Sequence, residues 1–443
     1  MLTDLPATEL ARLIRLKEVS PVEVAGAFLA RIEAVKSFNA VLWCDPEWTM
    51  EQARKLDPDG FGGALWGVPF TVKDSLDVEG TVTTYGTAGR RGCRSQRDAS
   101  VVARLRRCGM VVLAKTSVPE LCMGLETDNA LIGRTLNPHD PERTCGGSSG
   151  GEAALLAAGA TPLGLGSDTG GSIRLPCHYC GVWGMKPTTG RVARTGHTPG
   201  PGGTTDGLWQ IGPMARNPGD LQLLLGLIQG PDGHDPEVVP ANPERPDPAR
   251  AQVAWFADNG IVSADAATRA ALERAVQRLG LPATEIRPPG VEETAELLQG
   301  LFLADEGMAL RRLLQKLGTD QPHRLLAEFF QLIAPHRLTS PEYCHLRYRW
   351  ARLRSRMLEF SQRFPIVLCP VAPGPARLHG TSAWSEAMLG WISFAAFFNL
   401  TGWPAMSVPV GRSPEGLPLG VQVATGPWNE ELVFEVGRRL TNC

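Results

Sequence analysis

The sequence predicts a single α/β domain, and three observations carry that prediction. Segments with helical spacing alternate with short, apolar, β-rich runs along most of the chain. This alternation continues on both sides of a proline-rich stretch at 230–250, which has the composition of an exposed linker. The 443 residues, 43% of them hydrophobic, are enough to form one large core. We therefore expect one domain with a helical insertion rather than two independent domains.

The first 120 residues predict helices followed by strands. Residues 3–37 have the pattern of two helices, with Thr3 and Ser20 as N-caps and Pro21 at a first helical position. The run WGVPFTVKDSL at 66–76 is β-rich. Helical spacing over 99–107 is followed by a buried strand at 110–114.

Two glycine-flanked serine turns lie at opposite ends of one predicted helix–strand unit. The first is TCGGSSGGEAALL at 144–156, the second is GLGSDTGGSIRLP at 164–176, and a small-residue helix and a short strand separate them. This arrangement can bring both turns together in space. Beyond the linker, the pattern predicts a strand at 251–257, helices at 264–279, 291–317, 322–333 and 340–363, and strands near 365–369, 405–410 and 418–424.

Composition excludes several classes of function. A net charge of −2 gives no basic field for nucleic acid or an anionic membrane. The amphipathic start is not a signal peptide and no run is long enough for a membrane span, so we expect a cytoplasmic protein with reduced thiols. Cys177 and Cys180 form a CxxC without a second pair, which favours core cysteines over zinc or redox chemistry. We expect neither a metal nor a cofactor.

The second turn contains the groups that a nucleophilic serine site needs. Neither turn matches a phosphate-binding loop or the GxSxG nucleophile elbow. Two glycines let the backbone turn sharply, so successive N–H groups of residues 169–172 can point at one developing oxyanion. Ser172 would then attack a carbonyl bound there. The alternative is a glycine-rich turn with a capping serine.

Lysine is the stronger candidate for the base. The histidines lie in apolar or Pro/Gly-rich surroundings typical of structural or solvated side chains: His139, His178, His197 and His234. The chain has 7 lysines against 37 arginines, and a buried lysine, unlike arginine, can lose its proton. Lys73 ends the β-like run PFTVK, where burial would leave a neutral amine. Its neighbour Asp74 is predicted to be a surface or capping residue.

Five stretches together resemble the amidase signature family. They are GVPFTVKD, GGSSGGEAALLAAGATPLGLGSDTGGSIRLP, CGVWGMKPTTGRV, IGPMARNPGDL and NLTGWPAMSVPVG, spread over roughly 60–230 and 365–430. The resemblance implies a central mixed β-sheet flanked by helices on both faces. It divides the single domain 1–443 into N-terminal helices (1–60), a signature core (61–230), a variable helical insertion (231–360) and a C-terminal part of the core (361–443).

The resemblance also implies a Ser–cis-Ser–Lys catalytic unit. Ser172 of GGSIR matches the nucleophile, Ser148 of CGGSSGG the bridging serine after a cis peptide, and Lys73 of VKD the base. The N–H groups of the second turn would form the oxyanion hole: Thr169, Gly170, Gly171 and Ser172. Supporting roles fall to three neighbours, with Ser149 in the relay or capping a helix, Asp168 holding the glycine turn and Arg174 ordering the loop. Lys186 in GMKPT matches a structural position.

The family contains free-standing amidases, fatty-acid amide hydrolases and amidotransferase subunits that act with partner chains. Leu175 follows GGSIR where those subunits typically have Gln, which favours a free-standing amidase, and GGEAALL favours the fatty-acid amide hydrolase-like branch. We expect Met123, Gly147, Trp384 and Trp391 beside the substrate, with most of the aromatic stretch 384–403 in the core.

A hydrophobic or aryl carboxamide is the predicted substrate. A small amide or a urea derivative is the nearest alternative, and a partner-dependent subunit or a non-catalytic binding protein are the alternatives from other classes. The sequence leaves open whether the chain forms a homodimer.

Overall fold

An eleven-stranded mixed sheet organises the chain in the computed structural model, which describes residues 1–56, 63–200, 202–240, 251–334 and 337–441. The strands within these ranges are β1 (Val41–Trp43), β2 (Pro69–Lys73), β3 (Val111–Thr116), β4 (Asp128–Asn129), β5 (Gly133–Arg134), β6 (Leu136–Asn137), β7 (Asp140–Thr144), β8 (Leu163–Asp168), β9 (Trp183–Lys186), β10 (Gln210–Ala215), β11 (Val253–Trp255), β12 (Ala283–Glu285), β13 (Ile366–Pro370), β14 (Ala405–Arg412) and β15 (Pro418–Thr425). The pairs β4–β5 and β6–β7 form two small separate sheets.

Helices cover the sheet. Within the described ranges they are α1 (Ala7–Arg15), α2 (Pro21–Ala34), α3 (Pro46–Arg54), α4 (Ser100–Arg107), α5 (Gly150–Ala157), α6 (Arg174–Cys180), α7 (Pro218–Ile228), α8 (Ala266–Leu279), α9 (Thr294–Leu303), α10 (Met308–Lys316), α11 (Arg324–Ile333), α12 (Ser340–Arg363), α13 (Glu386–Thr401) and α14 (Glu430–Thr441). No helix in the part of the chain that the structure describes is both long and apolar enough to cross a membrane.

The sheet runs in the order β1-β3-β2-β8-β10-β9-β14-β15-β13-β11-β12. Neighbours are parallel at β3–β2–β8 and at β13–β11–β12, and antiparallel elsewhere. Because side chains alternate across a strand, β13 shows that both faces are buried. Ile366 and Leu368 join one apolar core, whereas Val367 and Cys369 join the other. The predicted mixed sheet with helices on both faces is confirmed.

Several local predictions are confirmed and others are wrong. Ser20 caps α2, since its hydroxyl accepts the N–H of Glu23 at 3.1 Å, and α12 spans the predicted residues. Thr3 does not cap α1, because a short 3-10 turn occupies residues 2–4 and α1 begins after Pro6. The single helix predicted at 291–317 is broken, since the chain turns at Gly307 with a φ of +69°.

The segment 231–360 is not helical throughout. It contributes β11 and β12, which extend the main sheet beyond β13. Residues 241–250 of the predicted linker lie outside the described residues. The insertion is therefore built into the same sheet as the signature core, and its helices α9, α10 and α11 pass over the site described next.

Candidate active site

The site forms where two parallel strands end side by side. Lys73 is the last residue of β2 and Asp168 the last residue of β8, and the pairing of Val72 with Leu165 sets their register. The carboxyl ends of parallel strands lie at one edge of a sheet, where open α/β sheets commonly place their ligands. Loops leaving this edge carry both serine turns.

The two serine turns dock on one another, as the helix–strand spacing predicts. The first runs into α5 and holds a cis peptide between Gly147 and Ser148. The N–H of Ser149 donates to the carbonyl of Ser172 at 3.1 Å, and the Ser149 hydroxyl donates to the carbonyl of Ser167 at 3.3 Å. Ser149 therefore ties the turns together, and its side chain makes no capping bond to α5.

Lys73 is fully buried behind these turns. Its Nζ lies 2.8 Å from the Oγ of Ser148, 3.0 Å from the Oγ of Ser167 and 3.2 Å from the Ser167 carbonyl oxygen. Burial lowers the pKa of Lys73, and the nearby groups Cys122 and Asp168 oppose that shift without reversing it. A lysine held in this way is suited to accept a proton from a serine hydroxyl.

Asp168 holds the second turn in shape. Its carboxylate accepts the N–H of Gly171 at 2.8 Å and that of Ile173 at 3.1 Å, and forms a buried ion pair with Arg174. Burial would raise the pKa of Asp168, but Arg174 and the Asn399 amide hold it well below its usual range. Gly171 has a φ of +117°, which other residues rarely adopt. The side chains of Asp168 and Arg174 thus stabilise the loop of the second serine turn.

The contact to Gly171 changes the expected oxyanion hole. The Gly171 N–H already donates to Asp168 and is not free for a substrate oxygen. Among the described hydrogen bonds, the N–H groups of Thr169, Gly170 and Ser172 have no acceptor, and these three residues line the cavity. They are the donors that a carbonyl oxygen above Ser172 would meet.

Replacing Asp168 by asparagine is expected to lower the free energy of unfolding by about 3–5 kcal/mol, because Arg174 then stays buried without a counter-charge. Chemical denaturation monitored by circular dichroism measures this change. Glu285→Gln is the control, since it removes an exposed pair with Arg269, and it should leave the free energy of unfolding close to that of the wild type. Equal small losses for both variants would contradict the role given to Asp168.

Asp74 was expected at the surface or as a cap, and that prediction is wrong. Asp74 is buried and pairs with buried Lys115 at 2.9 Å. The prediction failed because Lys115 lies 41 residues away on β3.

Lys186 is buried as expected of a structural residue, and its Nζ donates to the carbonyl of Pro187 at 2.8 Å. Desolvation lowers its pKa to about 7.

Glu152 is a buried carboxyl that the sequence pattern did not single out. It accepts the hydroxyls of Thr71 at 2.6 Å and Thr116 at 3.0 Å. Burial raises its pKa to about 8. Its sequence signal is one acidic residue in an otherwise small and apolar helix, and the consequence is a tie between α5 and the strand that carries Lys73.

A cavity of about 400 Å³ opens above the second turn. Ser172 lies on its lining and is partly exposed, whereas Lys73 and Ser148 are buried behind it. The apolar part of the lining comes largely from residues 121–125 and from α9, α10 and α11, notably Leu121, Met123, Phe302, Leu310, Leu313 and Phe329. Thr204, Thr205 and Asp305 add polar groups. The cavity therefore presents an exposed hydroxyl to an apolar substrate.

Two of the four predicted substrate contacts line this cavity. Met123 and Trp384 do, and the Trp384 indole donates to the Met123 carbonyl at 3.3 Å. Trp391 does not, because its indole donates to the Tyr179 hydroxyl at 2.9 Å away from the lining. Gly147 does not either, since it is buried so tightly that a Cβ there would lie 2.6 Å from the carbonyl oxygen of Gly124.

Two residues near Lys73 were missed as site residues. Ser167 was seen only as part of the glycine-rich turn, and His197 was predicted to be structural or solvated. Both line the cavity, and the His197 Nε2 lies 2.8 Å from the Ser167 Oγ.

The thiols of the CxxC residues Cys177 and Cys180 are buried and form no disulfide, and burial raises the pKa of each. In the described residues, no group of three or more His, Cys, Asp or Glu side chains is placed to hold a metal.

Comparison with known proteins places this geometry among enzymes that act on amides. A family model described as Amidase matches residues 23–434. A glutamyl-tRNA(Gln) amidotransferase subunit from Thermus thermophilus is 33% identical, over 94% of this chain and 92% of that protein. The indoleacetamide hydrolase of Bradyrhizobium diazoefficiens is 32% identical, over 98% of this chain and 86% of that protein. A solved structure of fatty acid amide hydrolase has a TM-score of 0.86 and 25% identity, covering 100% of this chain and 85% of the other.

Proposed function

This chain belongs to the amidase family and is an amidohydrolase, and we propose that it hydrolyses hydrophobic or aryl carboxamides through an acyl-enzyme on Ser172. The observation that carries the proposal is the pairing of a partly exposed Ser172 in an apolar cavity with a buried Lys73–Ser148 contact behind it. The hydroxyl faces the substrate, and the base is shielded from water.

In the proposed reaction, protons move along the two serines to the lysine. The Ser172 Oγ forms a bond to the amide carbon while its proton passes to Ser148, and the Ser148 proton passes to neutral Lys73. The N–H groups of Thr169, Gly170 and Ser172 stabilise the oxyanion. The C–N bond then breaks as the relay returns a proton to the leaving nitrogen. Water next attacks the acyl-enzyme and gives a proton to the relay, which releases the acid and restores Ser172.

One hydrogen bond of this proposed relay is not formed in the structure. No hydrogen bond among the described residues joins the hydroxyls of Ser148 and Ser172. Catalytic hydrogen bonds are often long in substrate-free enzymes and shorten when the substrate binds. We propose that a bound amide, held by the oxyanion donors, turns the Ser172 hydroxyl towards Ser148.

The apolar lining favours an apolar acyl group. A cavity of about 400 Å³ falls within the size range of pockets for small organic ligands. Its leucine and phenylalanine side chains offer no hydrogen-bonding partner, and the polar lining groups Thr204, Thr205 and Asp305 are a minority. Purified enzyme should release ammonia faster from aryl and medium-chain carboxamides than from acetamide. The reverse order of rates would contradict the assignment.

Filling the cavity should change this preference. Met123→Trp adds bulk at the lining, so we expect kcat/KM for an aryl amide to fall by about 10-fold or more, with acetamide changed by less than about threefold. Leu358→Trp, at a half-exposed position on α12, is the control and should leave both substrates unchanged. Equal losses on both amides in Met123→Trp would point to a damaged site rather than a smaller pocket.

A second function is that of a partner-dependent glutaminase, favoured by the 33% identity to a component of an amidotransferase. Glutamine is polar, and the apolar lining argues for the amidase instead. Glutaminase activity that exceeds carboxamide hydrolysis, together with a partner chain that co-purifies, would support the second function.

A further inference from the structure

A chain of hydrogen bonds runs from Lys73 away from the catalytic serines. The Lys73 Nζ lies 3.0 Å from the Ser167 Oγ, which lies 2.8 Å from the Nε2 of His197. The other ring nitrogen of His197, Nδ1, lies 2.8 Å from the carbonyl oxygen of Pro199. Each of these contacts has hydrogen-bond length, so the imidazole ring is held at both nitrogens.

The Pro199 carbonyl fixes the tautomer of the ring. A carbonyl oxygen only accepts, so the His197 Nδ1 must carry the proton that it receives. In a neutral imidazole, Nε2 is then an acceptor, and the proton between it and Ser167 must belong to the Ser167 hydroxyl. The Ser167 Oγ has a single proton, so towards Lys73 it can only accept.

This arrangement determines which way the lysine lone pair points. A neutral amine has two N–H bonds and one lone pair. The Ser167 Oγ and the Ser167 carbonyl oxygen, at 3.0 and 3.2 Å, take the two N–H bonds of Lys73. The Cys122 thiol also lies beside the amine, but sulfur is a weaker acceptor than these two oxygens. The lone pair is left for Ser148 at 2.8 Å, which must donate its proton. The Ser148 oxygen is then free to accept from Ser172.

We infer that His197 is a positioning residue: acting through Ser167, it orients the Lys73 lone pair towards Ser148 and so sets the direction of proton transfer. The inference rests on the proposed function for its effect on rate. Without an acceptor at this place, the Ser167 proton is free to turn towards Lys73. The lysine can then donate to Ser148, and the relay is reversed in part of the molecules.

The surroundings keep the ring neutral and in place. His197 packs on Trp209, with ring centroids 4.5 Å apart, and its loop is pinned to the segment after β2, where the N–H of Thr198 donates to the Ser75 carbonyl at 2.8 Å. The titratable groups facing the ring are Lys73 from β2 and Arg194 from its own loop. Burial lowers the pKa of His197 to about 3, the Pro199 carbonyl opposes this shift without reversing it, and the Arg194 charge acts in the same direction as burial. The imidazole ring of His197 therefore stays neutral near pH 7.

Three variants test the positioning role on a carboxamide that the wild type hydrolyses. His197→Phe keeps the ring packing but removes the acceptor, and should lower kcat by about 10- to 100-fold with KM changed by less than about threefold. His197→Gln can place a carbonyl oxygen near Nε2 and should recover most of kcat. His234→Phe, at an exposed loop histidine, is the control and should behave as wild type.

A double-mutant cycle separates positioning from packing. Because His197 acts through Ser167, His197→Phe should change kcat by less than about twofold when added to Ser167→Ala. If the losses of kcat in Ser167→Ala and His197→Phe multiply in the double variant, the inference is overturned. A His197→Gln variant as slow as His197→Phe would also overturn it.

A measurement without substrate separates this inference from the proposed function. Nitrogen-15 NMR of wild type should show His197 as the neutral Nδ1–H tautomer, with Nε2 unprotonated. The Nε2–H tautomer or a charged ring at pH 7 would overturn the inference even if the enzyme hydrolyses amides. Full activity in Ser172→Ala would instead overturn the proposed function and leave the tautomer result standing.

Discussion

Ser172→Ala is expected to lower kcat for carboxamide hydrolysis by about 10⁴- to 10⁶-fold, because the variant removes the cavity-lining hydroxyl proposed as the nucleophile. Ammonia release under saturating amide measures the loss. The thermal midpoint should stay close to wild type, since the partly exposed Ser172 hydroxyl makes no described hydrogen bond that supports the fold.

Ser263→Ala is the matched control for this result. Ser263 is exposed and its hydroxyl bonds to the neighbouring Asp258, so the variant should keep full activity. More than about a tenth of wild-type activity in Ser172→Ala would contradict the nucleophile assignment. A loss in both variants would indicate a defect of the preparation.

Lys73→Met is the second large expected effect. Methionine has similar length and is apolar, so it fills the buried site but cannot accept a proton, and kcat should fall by about 10²- to 10⁴-fold. Lys55→Met, at an exposed lysine paired with Glu51, is the control and should retain wild-type kcat. Unchanged activity in Lys73→Met would rule out lysine as the base.

The pH profile gives the sign of the lysine's role. Burial lowers the pKa of Lys73, so the neutral and active amine forms at a lower pH than for an exposed lysine. Activity should rise with pH through that pKa, level off above it and fall below it as the amine is protonated. The residual activity of Lys73→Met should lack this acid limb. An acid limb that persists unchanged would assign it to another group.

Local patterns predicted elements whose signals are contained in a few residues. The Ser20 cap and the boundaries of α12 follow from capping residues and helical spacing. The break before α10 also has a local signal, which the helical spacing masked: the Asp305 carboxylate accepts the N–H of Gly307, two residues away, at 2.9 Å. The place of β12 at the edge of the sheet was missed because it depends on pairing with β11, which no local pattern contains.

The candidate site divides in the same way. Lys73, Ser148 and Ser172 were proposed from short motifs and a family resemblance, and the structure brings the first two into contact. The contact between His197 and Ser167 was not predicted because the two residues lie 30 residues apart in the sequence. A histidine in a Pro/Gly loop gives no sign of that distant hydroxyl. Buried polar contacts between distant segments, which also include Asp74 with Lys115, are what sequence patterns leave out.

Trapping the acyl-enzyme tests the central claim most directly. An aryl p-nitroanilide is mixed with the enzyme, quenched in acid within one turnover and analysed by intact-mass spectrometry and peptide mapping. We predict a mass increase equal to the acyl group on the peptide that contains Ser172, absent from Ser172→Ala and present in Cys122→Ser, which removes the thiol lining the same cavity. An adduct on Cys122, or on any peptide other than the one that contains Ser172, would contradict the account.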